Sequence, residues 1–272
     1  MVYAIFSASL LLGICAIYAG AVGWLYFQQE RLLFEPVPLE FDDPICTDSD
    51  TREFFIHVCG ARLSVAHMAL PDPRGLFFFL HGNSGNLKKW FVELDGFRQA
   101  NFDVVMLDYR GFGKSTGQIE SEEQLHADVA AVWKYFQPMY ERKRVVISGQ
   151  SFGTGLAAWL AAQLSLEGNA PDLTVLVSPY SSMRALAAEL YPWVPMRVLR
   201  YPLHTLQYIA KLLGPVMLIH GEKDELIGIH HSEVLCESMR CAQLLRVEEA
   251  GHGDVHRFPM VRRAMMSALG RL

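Results

Sequence analysis

The five residues 149–153, Gly-Gln-Ser-Phe-Gly, point most directly to chemistry. They follow a short apolar run at 144–148 and precede a helical pattern that begins at Phe152. In this setting of strand, sharp turn and helix, a G-x-S-x-G motif presents a serine hydroxyl above the end of a sheet. The glycines permit a strained turn, and the helix start places backbone N–H dipoles beside the hydroxyl. Ser151 is therefore the candidate nucleophile.

A serine hydroxyl becomes an effective nucleophile only when a base removes its proton, and that base needs an orienting acid. Both residue types follow in the chain order serine, acid, histidine that the motif predicts. The acid lies within residues 220–225, His-Gly-Glu-Lys-Asp-Glu, where Asp224 competes with Glu222 and Glu225. His252 is the candidate base, because glycines on both sides of it predict a flexible loop that reaches back to the serine.

Acyl transfer also requires N–H donors aimed at the oxygen that becomes negatively charged. One donor should be the N–H of Phe152, at the start of the predicted helix. The second should come from the glycine-rich turn at 81–86, His-Gly-Asn-Ser-Gly-Asn, which follows an apolar run. The N–H of Asn83 is our candidate for this second oxyanion-hole donor.

Neither a metal nor a cofactor is expected. His252, Asp254 and His256 have a spacing that would suit a metal ion, but no further group of ligands supports that interpretation. Residues 108–115 end like a phosphate-binding loop, yet Asp108 replaces the first glycine of that motif. We therefore interpret residues 108–115 as a structural turn after a strand.

The elements that must position these residues alternate along the chain from residue 52 onward. Predicted strands lie at 52–58, 61–68, 76–80, 102–107, 144–148, 174–177, 216–219 and 244–247. Predicted helices lie at 86–100, 121–136, 152–164, 230–239 and 261–269. Short, continuous apolar runs are expected for strands buried on both faces of a mainly parallel sheet, and the first two runs predict a hairpin. The sequence therefore predicts a three-layer α/β fold.

One insertion interrupts this alternation. Residues 178–213 hold four prolines among tyrosine, tryptophan, leucine and methionine residues. We expect them to form a cap between two strands, at about 179–213. No repeat or linker divides residues 52–272, and we predict one catalytic domain over residues 31–272.

The N-terminal segment predicts a membrane anchor within residues 1–30. Residues 2–27 contain no Asp, Glu, Lys, Arg or His, and at about 1.5 Å per residue they exceed the roughly 30 Å hydrocarbon layer of a bilayer. A cleavable signal peptide is the alternative, with small residues at 19–21. No Lys or Arg precedes the apolar run, and its pattern continues past that site, which favours a retained single-pass helix. The flanking charges weakly favour a cytoplasmic catalytic domain.

Composition excludes some partners and leaves the redox compartment open. A net charge of −5 argues against a nucleic-acid-binding protein, which would normally carry a basic face. Cys15 lies in the apolar run. The other four cysteines are compatible with free thiols or with two disulfides, and they are Cys46, Cys59, Cys236 and Cys241.

Together these motifs resemble the α/β-hydrolase superfamily, in particular its small branch with an N-terminal membrane helix, labelled serine aminopeptidase-like or lysophospholipase-like. The resemblance covers roughly residues 31–272, and its motifs lie at 81–86, 108–115, 149–153, 178–180, 191–193, 220–225 and 251–252. It implies that Asp224 is the acid and His252 the base of a catalytic triad, and that Asn83 occupies the oxyanion-loop position. The chain departs from the family's usual pattern at 226–229, where a proline commonly follows the acid, and in the cap at 203–205. Both departures bear on substrate preference and not on the triad.

These features predict a serine hydrolase that cleaves an ester or thioester bond, or an amide bond, through an acyl-enzyme. An apolar, aromatic cap and a membrane anchor favour a hydrophobic acyl substrate, such as a lysophospholipid, a monoacylglycerol or an acylated protein. The alternative is a catalytically inactive, membrane-anchored binding module with the same fold. The presence of Ser151, Asp224 and His252 together counts against it. Haloperoxidase-type or lyase chemistry on the same triad and the oligomeric state stay open.

Overall fold

A computed structural model describes residues 2–272, which form strands and helices in alternation. The strands are β1 (Glu35–Pro36), β2 (Thr51–Val58), β3 (Ala61–Met68), β4 (Gly75–Leu80), β5 (Ser84–Gly85), β6 (Phe102–Leu107), β7 (Arg144–Gln150), β8 (Leu173–Val177), β9 (Val216–Gly221) and β10 (Ala242–Val247). The α-helices are α1 (Val2–Leu33), α2 (Leu87–Trp90), α3 (Asp95–Ala100), α4 (Glu122–Phe136), α5 (Gly153–Leu166), α6 (Met183–Leu190), α7 (Thr205–Ile209), α8 (His230–Glu237) and α9 (Pro259–Arg271).

The eight long strands form one sheet in the order β10-β9-β8-β7-β4-β6-β3-β2. Neighbours from β10 to β6 pair in parallel, whereas β3 pairs antiparallel with β6 and β2 antiparallel with β3. The predicted hairpin is therefore confirmed. Every residue of β6 and β8 is buried, as expected for strands covered by helices on both faces.

The hydrophobic core lies in two layers, one on each face of the sheet. Alternate residues of β4 point to opposite faces: Leu76 and Phe78 belong to the layer beneath α4 and α5, whereas Phe77 belongs to the layer beneath α2, α3 and α9. This arrangement explains why the sequence shows continuous apolar runs instead of alternation. It also leaves the carboxyl ends of β4, β7 and β9 at one edge of the sheet, where functional groups collect in such folds.

The single helix predicted at 86–100 is wrong, because the structure has two short helices there. Asn86 caps α2 by accepting the N–H of Lys89. Glu93 then adopts a left-handed backbone conformation with φ of +57°, which ends the helical path before α3 begins.

The turn at 108–115 is structural, as the sequence indicated. The hydroxyl of Ser115 donates to the carbonyl of Asp108 at 2.7 Å. The guanidinium of Arg110 forms two hydrogen bonds, at 2.7 and 2.8 Å, with the carboxylate of Asp128, and both side chains are buried. This buried ion pair joins the turn to a buried position of α4.

The connection from β8 to β9 contains α6 and α7 and occupies the place of the predicted cap. At the N-terminus, residues Phe6–Leu33 of α1 are long and apolar enough to cross a membrane, by length and composition alone. The helix extends beyond the predicted anchor, to Leu33.

All five cysteines are free thiols.

Candidate active site

Ser151 lies in the turn between β7 and α5 and has a left-handed backbone conformation, with φ of +50°. Non-glycine residues rarely adopt this conformation, and the surrounding backbone holds it in place. The N–H of Ser151 donates to the carbonyl of Val177 in the neighbouring strand at 2.9 Å. A side chain at Gly149 would meet the carbonyl of Gly153 at 2.3 Å, and one at Gly153 would meet the carbonyl of Leu80 at 2.1 Å. Both glycines of the motif are therefore required by close backbone packing.

The imidazole of His252 joins the serine to an acid. Its Nε2 lies 2.9 Å from Ser151 Oγ, and its Nδ1 lies 2.7 Å from Asp224 Oδ2. A carboxylate only accepts hydrogen bonds, so Nδ1 carries the proton of the neutral ring and Nε2 presents its lone pair to the hydroxyl. The three residues come from the ends of β7 and β9 and from the loop after β10. The structure thus brings together the three residues that the sequence selected.

Asp224 is held in place by its own loop. Its Oδ1 accepts the N–H groups of Leu226 at 3.0 Å and Ile227 at 2.8 Å. Burial alone would raise the pKa of this carboxyl, but hydrogen bonds from His220, His252 and the Ile227 N–H outweigh burial and hold the pKa well below its usual range. Asp224 is therefore a carboxylate at neutral pH.

The rival acids have other surroundings. Glu222 is partly exposed and lies 3.8 Å from the guanidinium of Arg246, and Glu225 is exposed. Among the three acids of this loop, only Asp224 makes a hydrogen bond to His252 within residues 2–272. The preference for Asp224, which rested on the family resemblance, agrees with this geometry.

The loop after β4 lies against the serine. A side chain at Gly82 would come within 3.7 Å of Ser151 Cβ. The backbone N–H groups of Asn83 and Phe152 donate to no acceptor within residues 2–272, so both are available to an incoming oxygen atom. The position of Phe152, directly after Ser151, suits the first oxyanion donor, and the neighbouring loop suits the second.

Three comparisons with known proteins bear on this arrangement. Residues 75–194 match the family model described as the alpha/beta hydrolase fold. The alpha/beta hydrolase domain-containing protein 17B of Xenopus tropicalis is 31% identical over 191 residues, which cover 68% of this chain and 62% of that protein. The human 17B protein gives the same values, and protein 17C of Mus musculus is 29% identical, with 68% of this chain and 56% of its own length covered. The match thus spans less than two thirds of these relatives.

Solved structures agree on the fold. An esterase of Pyrococcus furiosus superposes with a TM-score of 0.67 at 17% identity, covering 88% of this chain and 97% of the esterase. An alpha-beta hydrolase of Vibrio vulnificus gives a TM-score of 0.68 at 19% identity and covers 81% of both chains. The chain belongs to the α/β-hydrolase superfamily. The fold predicted from the sequence is confirmed, and assignment to the small membrane-anchored branch stays a prediction.

Within this α/β hydrolase, the sequence did not identify what supports the loop at Asn83. The side-chain amide of Asn83 donates to the carbonyl of Leu33, at the end of α1, at 2.7 Å. The carbonyl of Asn83 accepts the N–H of Glu35 at 2.8 Å, and β1 continues in parallel pairing with β5. Strands of two residues are too short to produce a periodic pattern in the sequence. Pro36 and Gly85 indicate irregular structure in these two segments, but they do not predict that the segments pair.

The metal-like spacing of His252, Asp254 and His256 has a different explanation in the hydrolase. His252 is engaged by the serine and the aspartate, and Asp254 Oδ1 accepts the N–H of Gly251 at 2.8 Å, which stiffens the histidine loop. Burial lowers the pKa of His256, and the nearby Arg257 lowers it further. The predicted absence of a metal at these residues stays a prediction.

We predict that Gly153→Ala destabilises the hydrolase by about 1–3 kcal/mol or more, because the added methyl group overlaps the Leu80 carbonyl in a tightly packed turn. Urea or thermal unfolding of the detergent-solubilised chain measures the change. The matched control is Gly270→Ala in α9, where an added methyl group meets nothing within 4 Å and alanine favours the helix. Equal stability of the two variants would show that the turn does not depend on Gly153.

Proposed function

We propose that this protein is a membrane-anchored serine hydrolase that cleaves an ester or thioester bond, or an amide bond, of a hydrophobic acyl substrate. The observation that carries the proposal is the hydrogen-bonded series Ser151 Oγ, His252 imidazole and Asp224 carboxylate, at 2.9 and 2.7 Å. The left-handed turn at Ser151 and the two unpaired N–H groups beside it supply the other parts of an acyl-transfer site.

In the first half of the reaction, Ser151 Oγ attacks the carbonyl carbon while His252 Nε2 takes the hydroxyl proton. The carbonyl π electrons move to oxygen, and the resulting oxyanion accepts hydrogen bonds from the N–H groups of Phe152 and Asn83. Asp224 holds the Nδ1 proton and stabilises the imidazolium. When the tetrahedral intermediate collapses, His252 gives its proton to the departing alcohol, thiol or amine, and an acyl-enzyme on Ser151 remains.

In the second half, a water molecule takes the place of the leaving group. His252 removes a proton from this water as its oxygen attacks the acyl carbon, and the same donors bind the second oxyanion. Collapse breaks the bond to Ser151 Oγ, which regains its proton from His252. The carboxylic acid is released, and the site returns to its starting state.

The preference for a hydrophobic acyl group is supported by the surroundings of the site. Ser151 is only 8% exposed, so the reacting carbonyl enters an environment largely shielded from water. The cap presents Leu190, Tyr191 and Trp193 at the surface, each about half exposed, with values of 45%, 52% and 50%. Helix α1 is apolar and forms hydrogen bonds to the cap from Tyr18 and Gln29, which suits a substrate that resides in a membrane.

We expect a fluorophosphonate probe to label the native protein in membranes and to leave Ser151→Ala unlabelled, because only an activated serine attacks the probe. Gel fluorescence, normalised to protein amount, measures labelling. Ser267→Ala, an exposed serine in α9, is the matched control and should be labelled like the native chain. If the folded native protein is not labelled, the inactive binding module becomes the better description.

A series of acyl esters of increasing chain length tests the substrate class. If each added methylene is buried, kcat/KM should rise by up to about fourfold per CH₂, corresponding to about 0.8 kcal/mol, until the acyl site is filled. Matched thioesters in the same series identify the preferred bond. Turnover confined to acetyl esters would contradict the hydrophobic substrate and leave the serine hydrolase assignment intact.

A further inference from the structure

Part of the cap lies along α1, far from it in sequence. We call residues 190–200 the cap arm. The hydroxyl of Tyr18 donates to the carbonyl of Trp193 at 2.9 Å. About three helical turns further along α1, the amide of Gln29 donates to the carbonyl of Val198 at 2.6 Å. The arm therefore follows α1, with its apolar end beside the middle of the helix and its other end near Leu33.

Charged groups hold Arg200, the last residue of the cap arm, at the point where α1 becomes polar. Glu30 is the first charged side chain in the sequence. Its carboxylate lies 2.6 Å from Arg200 and accepts the hydroxyl of Tyr201 at 2.7 Å. The Arg200 guanidinium also lies 5.8 Å from the ring centroid of Tyr26. In a membrane-spanning α1, this cluster of charges and aromatic rings marks the boundary between hydrocarbon and water.

The tip of the cap arm lies on the apolar side of that boundary. Tyr18 precedes Glu30 by about 18 Å along the axis of α1, at about 1.5 Å per residue. The hydrocarbon layer of a bilayer is about 30 Å thick, so a helix anchored at Glu30 carries Tyr18 well into it. Trp193, bound to Tyr18, has to enter the same layer. With α1 in a bilayer, the cap arm is therefore in the bilayer as well.

We propose that the cap arm inserts into the membrane beside α1 as a second lipid contact. The proposal rests on the membrane anchoring included in the proposed function. It adds a specific lipid-binding surface to that anchor.

The residues of the cap arm suit hydrocarbon. From Leu190 to Met196 the sequence is Leu-Tyr-Pro-Trp-Val-Pro-Met, with no charged residue. The side chains of Leu190, Tyr191 and Trp193 are about half exposed and lie close together in sequence. Such exposure of apolar surface is costly in water and favourable in lipid. Arg197 follows this run and is exposed, in a position to reach the phosphate groups of the lipid headgroups.

Part of the cap-arm backbone is paired, which lowers the cost of an environment without water, where unpaired polar groups are unfavourable. Pro192 and Pro195 have no N–H to satisfy. The carbonyls of Tyr191, Trp193, Pro195 and Val198 accept hydrogen bonds from Val194, Tyr18, Val198 and Gln29, respectively. Tyr18 and Gln29 thus donate from α1 to an irregular segment that lies against the helix, and contact with protein is the condition under which non-helical chain is tolerated at membrane depth.

The same boundary lies close to the candidate nucleophile. Phe34, the residue after α1, packs its ring 5.1 Å from the ring of Phe152 and 5.4 Å from that of Tyr201. One aromatic side chain therefore separates the end of α1 from the turn that carries Ser151. The cap arm and α1 therefore meet close to the turn of the candidate nucleophile.

Tryptophan fluorescence in vesicles tests the insertion. The chain has five tryptophans, and each variant keeps one while the others become phenylalanine. The Trp193 variant reports on the cap arm, the Trp24 variant on α1, and the Trp133 variant, 5% exposed in the core, is the negative control. In phosphatidylcholine with brominated acyl chains, we expect emission from Trp193 to fall at least half as much as that from Trp24, and emission from Trp133 to stay unchanged.

The outcomes separate the two proposals. Quenching of Trp24 without quenching of Trp193 overturns insertion of the cap arm and leaves the anchor intact. Quenching of neither overturns both the anchor and the insertion, whereas fluorophosphonate labelling decides the hydrolase activity independently.

The native chain provides a second measurement if a single-tryptophan variant does not fold. Photoactivation of a diazirine phospholipid should modify the tryptic peptide at 185–197, which is released by cleavage after Arg184 and Arg197. Adducts on peptides from α1 but not on this peptide would contradict the proposal.

Discussion

The left-handed backbone at Ser151 is the constraint around which the rest of the site is arranged. It lets β7 turn into α5 within two residues, Ser151 and Phe152, at a conformational cost of about 1–2 kcal/mol that the packed sheet offsets. Gly149 and Gly153 permit the backbone contacts this turn requires. The turn directs the hydroxyl of Ser151 toward His252, and the neighbouring strand ends and loops deliver the imidazole and the carboxylate to the same edge of the sheet.

Helix α1 is hydrogen-bonded both to the loop beside Ser151 and to the cap. The boundary predicted at residue 30 falls inside α1, which ends at Leu33. Residues on both sides of this boundary contact the rest of the protein. Asn83 binds the end of α1, and Glu30 and Gln29 bind the cap. Direct hydrogen bonds and an ion pair therefore couple the position of α1 to the loop at Asn83 and to the cap.

The parts of the fold with a strong local signal were predictable from the sequence, and contacts between distant segments were not. The strand, turn and helix around Ser151 carry their own pattern, and the order of the acid and His252 follows from it. The choice of Asp224 over its glutamate neighbours needed the family resemblance, because three acids in one loop look alike in sequence. The helix predicted at 86–100 is interrupted at Glu93, a residue that is neither glycine nor proline. The contact between Tyr18 and Trp193 joins residues far apart in the chain and produces no pattern in the sequence.

Activation of Ser151 by Asp224 and His252 is the central step of the proposed mechanism. The most direct test is the rate of fluorophosphonate inactivation of Asp224→Asn, which keeps the shape of the side chain but removes its charge. We predict a rate roughly 10³- to 10⁴-fold below that of the native protein, with an unfolding midpoint near the native value, because the imidazole loses the partner that fixes its tautomer. The exposed Glu225→Gln should react at the native rate. An Asp224→Asn variant that also reacts at the native rate would contradict the account.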